Sequence, residues 1–218
     1  MNILIFGATG MVGQGVLREC LAADDVSRIV AVGRSPLPQS HAKLSELHFN
    51  DLKQADLSSV TGFDACFYCL GASSSGKTEA EYRALMQDLP LSIAEKLKAD
   101  NPNLTFVFVS GAGSNADSRA MWAKVLGETE NALQAVGFAR FFAFRPATIQ
   151  PLHGIQSKQA NYRLFYTLAK PFLGLARKLF PNHILSTEII GKAMLNTVRF
   201  GADKTRLEPA DIRVLAQR

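Results

Sequence analysis

A glycine-rich stretch near the start of the chain constrains the fold more than any other feature. Residues 2–6 form a short apolar run, and Gly7, Gly10 and Gly13 follow it at intervals of three residues. Apolar side chains then recur at helical spacing, which predicts a strand, a tight turn and a helix. Glycines let such a turn approach a phosphate group, and the free N–H groups of the helix attract an anion. The stretch therefore predicts a dinucleotide site rather than a plain tight turn. The predicted contact residues are Gly7, Thr9, Gly10, Met11, Val12 and Gly13.

Strand and helix patterns alternate along the chain as far as residue 146. Apolar runs lie at 28–34, 44–49, 65–70, 104–110 and 138–144, and the longest helical patterns at 78–99 and 118–136. This alternation predicts an α/β fold with a doubly wound parallel sheet that binds ligands at the carboxyl ends of its strands. The 218 residues, 47% of them hydrophobic, suffice for one domain. We expect a cofactor core over 1–146 and a small C-terminal helical substrate region over 147–218.

Composition narrows the partners that the chain could have. The net charge is only +5, and the basic residues are scattered except for a mild cluster between Lys158 and Lys178. This favours a solvated basic face or a phosphorylated ligand over nucleic acid. No apolar run is long enough to cross a membrane, and no charged leader precedes the first strand. Three cysteines fit a reducing compartment, so we expect a cytoplasmic protein, as a monomer or a homodimer. Cys66 and Cys69 should face opposite sides of one strand as core thiols, so no metal site is predicted.

Two positions after the second and third strands bear on which dinucleotide binds. The residue just past the second strand meets the adenosine ribose in such folds, where an acid accepts the 2′-hydroxyl and an arginine accommodates a 2′-phosphate. Arg34 holds this position, Ser35 follows it and no acid lies nearby in sequence, which favours NADP over NAD. The alternative is a surface arginine that ends a strand. Asp51 and Leu52 could contact the adenine, although Asp51 could equally cap a short helix.

The fourth strand ends in a stretch with two interpretations. Residues 71–78, Gly-Ala-Ser-Ser-Ser-Gly-Lys-Thr, match the P-loop pattern G-x-x-x-x-G-K-[ST] between a predicted strand and a predicted helix. A P-loop enzyme also needs an acid after another apolar strand, but the following strands end in Ser110 and Arg145. The preferred interpretation is a small-residue loop that lines the cofactor cleft through Leu70, Gly71 and Ala72.

Together these motifs resemble the short-chain dehydrogenase/reductase superfamily, which has an NAD(P)-binding Rossmann fold. The similarity is to its atypical branch, which includes Tat-interacting-protein-like oxidoreductases and small proteins similar to nucleoside-diphosphate-sugar epimerases. It rests on residues 7–13, Arg34, Asp51-Leu52, 69–71, Ser110, Gly127-Glu128 and Arg145-Pro146. The resemblance implies that Ser110, Arg145 and Pro146 lie beside the nicotinamide.

The usual catalytic set of this superfamily is incomplete in the chain. Members carry a serine, a tyrosine and a lysine, and the resemblance assigns Ser110 as the serine. Alignment on Gly127-Glu128 places Trp122 at the tyrosine position and Leu126 at the lysine position, with Lys124 two residues away. An indole N–H donates hydrogen bonds but does not transfer a proton near neutral pH. The catalytic candidates are Ser110, Trp122 and, as a proton donor from a loop, His153.

A second match to the tyrosine–lysine spacing lies further along the chain. Tyr166 and Lys170 satisfy Tyr-x-x-x-Lys, but they follow the sixth strand rather than the fifth, and Pro171 disfavours helical geometry at Lys170. The function expected is that of an NADP-dependent oxidoreductase on an unknown carbonyl substrate. A non-catalytic NADP-binding redox sensor or scaffold is the main alternative. A sugar-nucleotide epimerase and a P-loop nucleotide enzyme are weaker ones.

Overall fold

A parallel sheet of seven strands forms the centre of the molecule. The computed structural model describes residues 1–155 and 184–218. Its strands are β1 (Asn2–Phe6), β2 (Arg28–Gly33), β3 (Leu44–His48), β4 (Ala65–Tyr68), β5 (Thr105–Val109), β6 (Arg140–Phe144), β7 (Thr148–Gln150), β8 (Ile184–Ser186) and β9 (Arg206–Leu207). The sheet order is β3-β2-β1-β4-β5-β6-β9, and every neighbouring pair is parallel. This confirms the predicted doubly wound α/β fold.

Helices cover both faces of the sheet, because alternate side chains of its strands are apolar on each side. One face packs α1 (Met11–Ala22), α5 (Thr187–Phe200) and α6 (Pro209–Leu215) on Ile3 and Ile5 of β1. The other packs α2 (Glu79–Arg83), α3 (Leu89–Asp100) and α4 (Met121–Ala135) on Leu4 and Phe6. We call these the α1 face and the α4 face. Residues buried from both sides explain why the strands read as continuous apolar runs.

The helical stretch predicted over 78–99 is present, but it contains a π-helical turn. The turn spans Ala84–Asp88 between α2 and α3, and the N–H of Leu89 reaches back to the carbonyl of Ala84. Pro90 follows directly; it has no N–H, and its ring would press on the carbonyl four residues earlier in an α-helix. The sequence predicts that one apolar stripe of this helix contains Leu85, Leu89, Ile93 and Leu97. The extra residue rotates the helix, so Leu85 is 41% exposed and Met86 is buried instead.

The described C-terminal residues contain one parallel strand pair, β7–β8, that was not predicted. The sequence predicts a helix over 187–200 and a short closing helix from Pro209 onward, and α5 and α6 confirm both. Residues 156–183 lie outside the described part of the chain, and with them the Tyr166–Lys170 motif. The division into a cofactor core and a substrate region therefore remains a proposal.

Both cysteines of the C-x-x-C spacing are buried at β4, on opposite faces of the sheet as predicted. Cys66 packs on the α4 face and Cys69 on the α1 face. Burial raises the pKa of both thiols, that of Cys69 to about 12, so they are unreactive at neutral pH. In the described ranges, no helix combines the length and apolarity that a membrane span requires.

Candidate functional site

The turn between β1 and α1 depends on glycine at two positions. Gly7 has a φ of +82°, and a methyl group there would lie 2.8 Å from the backbone nitrogen of Leu70. A methyl group on Gly13 would lie 2.1 Å from the carbonyl oxygen of Gly7. The N–H of Gly10 donates to that same carbonyl at 2.9 Å. The turn is therefore packed tightly between the end of β4 and the first turn of α1.

Within residues 1–155 and 184–218, no side chain caps the N-terminus of α1. Gly10 is the N-cap residue, and the first turn contains no acidic residue. The first N–H groups of a helix have no partner within the helix, and the helix dipole makes this end positive. Since a glycine turn and an uncapped helix start lie together, the residues present fit a pyrophosphate group.

A cleft runs from this turn to the carboxyl end of β2. Of the predicted cofactor contacts, Gly7, Thr9, Arg34, Leu52 and Leu70 line it. Its other lining residues are Ala8, Ala31, Val32, Gly33, Ser35, Leu37, Glu46 and His48. Sequence analysis did not identify Glu46 and His48 as site residues, because both come from β3 and only the sheet pairing brings them beside β2.

The charges at this end of the cleft are an arginine and an acid. Arg34 is exposed, and no hydrogen bond or ion pair ties its guanidinium to a residue within 1–155 or 184–218. Glu46 accepts the N–H of Leu37 at 2.9 Å through Oε2, which also lies 3.3 Å from Nε2 of His48. The expectation that no acid lies near Arg34 is therefore wrong in three dimensions.

The sequence left two roles open for Asp51 and Leu52, a contact with the adenine and the cap of a short helix. The Asp51 carboxylate accepts the N–H of Lys53 at 2.9 Å and caps a short 3₁₀-helix, Leu52–Gln54. The side chain of Leu52 is nearly buried and lines the cleft.

The stretch 71–78 does not have the hydrogen bonding of a phosphate-binding loop. The Thr78 hydroxyl donates to Oε2 of Glu81 at 2.9 Å, and the Lys77 N–H donates to the Ser74 carbonyl at 3.1 Å. Thr78 and Glu81 form a capping box, so the start of α2 is already satisfied. Glu79 and Glu81 also place negative charge where a phosphate would bind. This contradicts the P-loop alternative. Gly71 and Ala72 follow the cleft residue Leu70, and the Ala72 N–H contacts Sδ of Met86 at 3.3 Å.

Ser110, directly after β5, donates a hydrogen bond to a buried acid. Its hydroxyl donates to Oε1 of Glu130 at 2.6 Å, and its Oγ lies 3.0 Å from Oγ of Ser114. The Ser114 hydroxyl in turn donates to the carbonyl of Gly111 at 2.7 Å. A hydroxyl has a single proton, so in this arrangement Ser110 can accept a hydrogen bond from a ligand but cannot donate one.

Glu130 is fully buried and is neutralised by two arginines. Arg145 donates from Nε at 2.9 Å and from Nη2 at 2.5 Å, and Arg206 donates from Nε at 3.2 Å. Arg145 also pairs with Glu208 at 2.9 Å, and its hydrogen bonds to Glu130 raise its pKa. Its guanidinium therefore binds a buried carboxylate, and the expectation that Arg145 lies beside a nicotinamide stays a prediction. The carbonyl of Pro146 accepts the N–H of Ala112 at 3.1 Å.

Trp122 lies at the start of α4, against the loop that follows Ser110. A methyl group added to Gly113 would lie 3.6 Å from Cη2 of the indole, and 37% of Trp122 is exposed. Leu126, one turn later, is buried. Gly127 is required by packing, because a methyl group there would lie 2.2 Å from the backbone nitrogen of Ala116.

No tyrosine within the described ranges replaces the missing phenol at Trp122. The tyrosines there are Tyr68 and Tyr82, which are 0% and 3% exposed. Burial raises the pKa of Tyr68, which is surrounded by phenylalanine rings. The Tyr68 phenol therefore cannot exchange a proton with a ligand in the cleft.

The structure does not bring His153 to Ser110 and Trp122. Its Nε2 lies 3.1 Å from Oε2 of Glu188, at the start of α5, and its ring lines a groove together with Gln14 and Arg18 of α1. These contacts belong to the α1 face, whereas Trp122 lies on α4. Hydrogen bonds from Lys192 and His153 lower the pKa of Glu188 to about 2.

Solved structures with this fold include dinucleotide enzymes of low sequence identity. A UDP-glucuronic acid 4-epimerase from Bacillus cereus in complex with NAD has a TM-score of 0.65 at 12% identity, over 100% of this chain and 85% of that one. A short-chain dehydrogenase family protein from Francisella tularensis has a TM-score of 0.61 at 16% identity, over 94% and 92%. The chain therefore has the Rossmann fold of the short-chain dehydrogenase and epimerase proteins.

Among curated proteins, the chain is similar to fungal proteins named FMP52, mitochondrial. That of Emericella nidulans is 29% identical over 89% of this chain and 86% of the relative. That of Saccharomyces cerevisiae is 30% identical over 74% of this chain and 71% of the relative. No family model matches the chain. Since these relatives are named as mitochondrial proteins, the expectation of a cytoplasmic protein is wrong. The extent of the match to the yeast protein shows that this chain belongs to the FMP52 family.

Proposed function

We propose that the chain binds a nicotinamide dinucleotide, with NADP preferred over NAD. The observation that carries the proposal is the glycine turn packed against the uncapped start of α1, with a cleft leading from it to Arg34. The pyrophosphate would bind at residues 7–13, and the adenosine beside Leu52 and the end of β2. Arg34, which pairs with no described acid, would accept a 2′-phosphate.

The activity that we propose for this site is hydride transfer to or from a small carbonyl compound, as in atypical short-chain dehydrogenases. A bound nicotinamide supplies or accepts the hydride. The chain's own contribution lies at the end of β5, where the partly exposed Trp122 offers an indole N–H to a substrate oxygen. Fold similarity to reductases and epimerases supports this proposal. Sugar-nucleotide epimerisation is a weaker candidate, because epimerases of this superfamily use the missing tyrosine.

One observation favours a second candidate, a non-catalytic NADP-binding sensor or scaffold. The Ser110 hydroxyl donates its hydrogen bond to Glu130. Trp122 and Leu126 occupy the positions of the catalytic tyrosine and lysine of the superfamily. No group near Ser110 in the described residues can both donate and accept a proton at neutral pH. Such a protein would bind the cofactor and report its redox state without turnover.

Turnover measurements on two proteins distinguish the candidates. Oxidation of NADPH is followed with a panel of aldehydes, ketones and quinones, for the wild type and for the double variant Trp122→Tyr/Leu126→Lys. If the protein is an oxidoreductase, the wild type itself oxidises NADPH with a compound of the panel. A sensor binds NADPH without turnover, and activity appears, if at all, only in the double variant. A wild type that binds neither NADPH nor NADH would contradict both candidates.

A further inference from the structure

The adenosine end of the cleft contains two opposed charges, and only one of them follows β2 in sequence. Arg34 directly follows β2, whereas Glu46 lies in the middle of β3. Both line the same cleft, together with Ser35 and His48. The register pairs Glu46 with Ala31 and His48 with Gly33, so both side chains lie alongside the last residues of β2.

Glu46 is held in place by the segment that follows Arg34. The N–H of Leu37 donates to its Oε2 at 2.9 Å, and Nε2 of His48 lies 3.3 Å from the same oxygen. These contacts fix the carboxylate and occupy one oxygen. No contact within the described ranges occupies Oε1, and about a quarter of the side chain is exposed. An oxygen with this geometry can accept a ribose hydroxyl.

Arg34 and Glu46 do not neutralise each other. Their charged atoms are more than 4 Å apart, since no ion pair joins them, although both border one cleft. A dianionic phosphate bound in this cleft would be repelled by the Glu46 carboxylate and attracted by the exposed Arg34 guanidinium. The two residues therefore act in opposite directions on a 2′-phosphate.

We propose that Glu46 is a second specificity-determining residue, which accepts a hydrogen bond from the ribose 2′-hydroxyl of NAD and disfavours the 2′-phosphate of NADP. The inference rests on the proposed dinucleotide binding. It implies that Arg34 sets the preference for NADP and that Glu46 reduces it, so the wild type binds both dinucleotides with affinities that differ by less than about tenfold.

Substitution Glu46→Gln tests this role with little change of shape. Glutamine can keep one oxygen for the Leu37 N–H, but it removes the charge and replaces the oxygen proposed to accept the ribose hydroxyl by an NH2 donor. Calorimetric titrations with NADPH and with NADH give the ratio of their affinities. The matched control is Glu95→Gln, which removes the same charge from an exposed position of α3 that does not line the cleft.

We expect Glu46→Gln to raise the ratio of NADPH to NADH affinity about fivefold, mainly through tighter NADPH binding, and Glu95→Gln to leave it unchanged. A ratio that stays within twofold of the wild type in Glu46→Gln, or that shifts equally in both variants, overturns the role of Glu46 while leaving dinucleotide binding intact. A wild type that binds neither cofactor overturns the proposed function itself.

Discussion

The two ends of the candidate site differ in how their charges are satisfied. At the adenosine end, Arg34 is exposed without a described partner, and no contact among the described residues occupies Oε1 of Glu46. After β5, the charged groups satisfy one another: Glu130 is enclosed by Arg145 and Arg206 and accepts a hydrogen bond from the Ser110 hydroxyl.

The charges at the adenosine end are available to bind a ligand, whereas those after β5 are already paired with one another. Unpaired charges beside an open cleft can hold a ligand, because little must be broken when it arrives. A buried, fully paired network instead stabilises one arrangement of side chains, and removing one partner leaves an uncompensated charge. Ser110 therefore has a structural role as a hydrogen-bond donor to Glu130, even if it performs no proton transfer.

The largest effect is expected at the glycine turn, on which the binding end depends. Gly13→Ala should destabilise the protein by about 4 kcal/mol, since its methyl group meets the Gly7 carbonyl oxygen at 2.1 Å. Urea unfolding measures the change. Gly71→Ala is the control, because nothing lies within 4 Å of the added methyl group. Equal stability of the two variants would show that the turn is not packed as described.

The buried network should give the next largest effect. Glu130→Gln leaves Arg145 and Arg206 without their shared carboxylate, and we expect a loss of about 3 kcal/mol in the free energy of unfolding. The exposed substitution Glu95→Gln should change it by less than about 0.5 kcal/mol. A loss below 1 kcal/mol at Glu130 would contradict a structural role for this end of the site.

Removal of Arg34 should affect binding and leave stability unchanged. Arg34→Ala is expected to weaken NADPH about tenfold and NADH less than twofold, because only NADPH carries the phosphate that the guanidinium pairs with. Parallel titrations with both cofactors check this. An equal loss for both would mean that Arg34 contacts a part common to the two molecules.

The smallest effect is expected at an exposed cluster on the α1 face. Lys192 and His153 lower the pKa of Glu188 to about 2, from an ordinary value of 4.5. Because the folded pKa is depressed, the stabilisation is complete above about pH 5 and is lost as pH falls from 4.5 towards 2. Glu188→Gln should cost less than about 1 kcal/mol at pH 7, given its solvent exposure, and almost nothing at pH 2.5. Urea unfolding at both pH values tests this, and a pH-independent cost would contradict it.

Local patterns in the sequence were sufficient to predict most of the fold. The glycine turn, the six main strands and the principal helices each have a period or a turn signal of their own. The pair β7–β8 and strand β9 were not predicted, since two or three residues carry no period. Leu85 was misplaced because Pro90 induces a π turn that shifts the helix by one residue.

The site was predictable only where one segment supplies it. Gly7, Arg34 and Leu70 follow the ends of strands and could be placed at the cleft from sequence order. Glu46 could not, because it reaches the cleft only through the pairing of β3 with β2. The partners of Arg145 were equally hidden, since Glu130 lies on α4 and Glu208 is the N-cap residue of α6, 15 and 63 residues away along the chain.

Calorimetric titration of the wild type with NADPH tests the central claim most directly. The account predicts saturable binding of one NADPH per chain with a dissociation constant below about 1 mM, which is the range of typical cofactor and substrate affinities. It also predicts that Arg34→Ala weakens this binding. Absence of saturation by NADPH and by NADH, in a protein that remains folded, would contradict it.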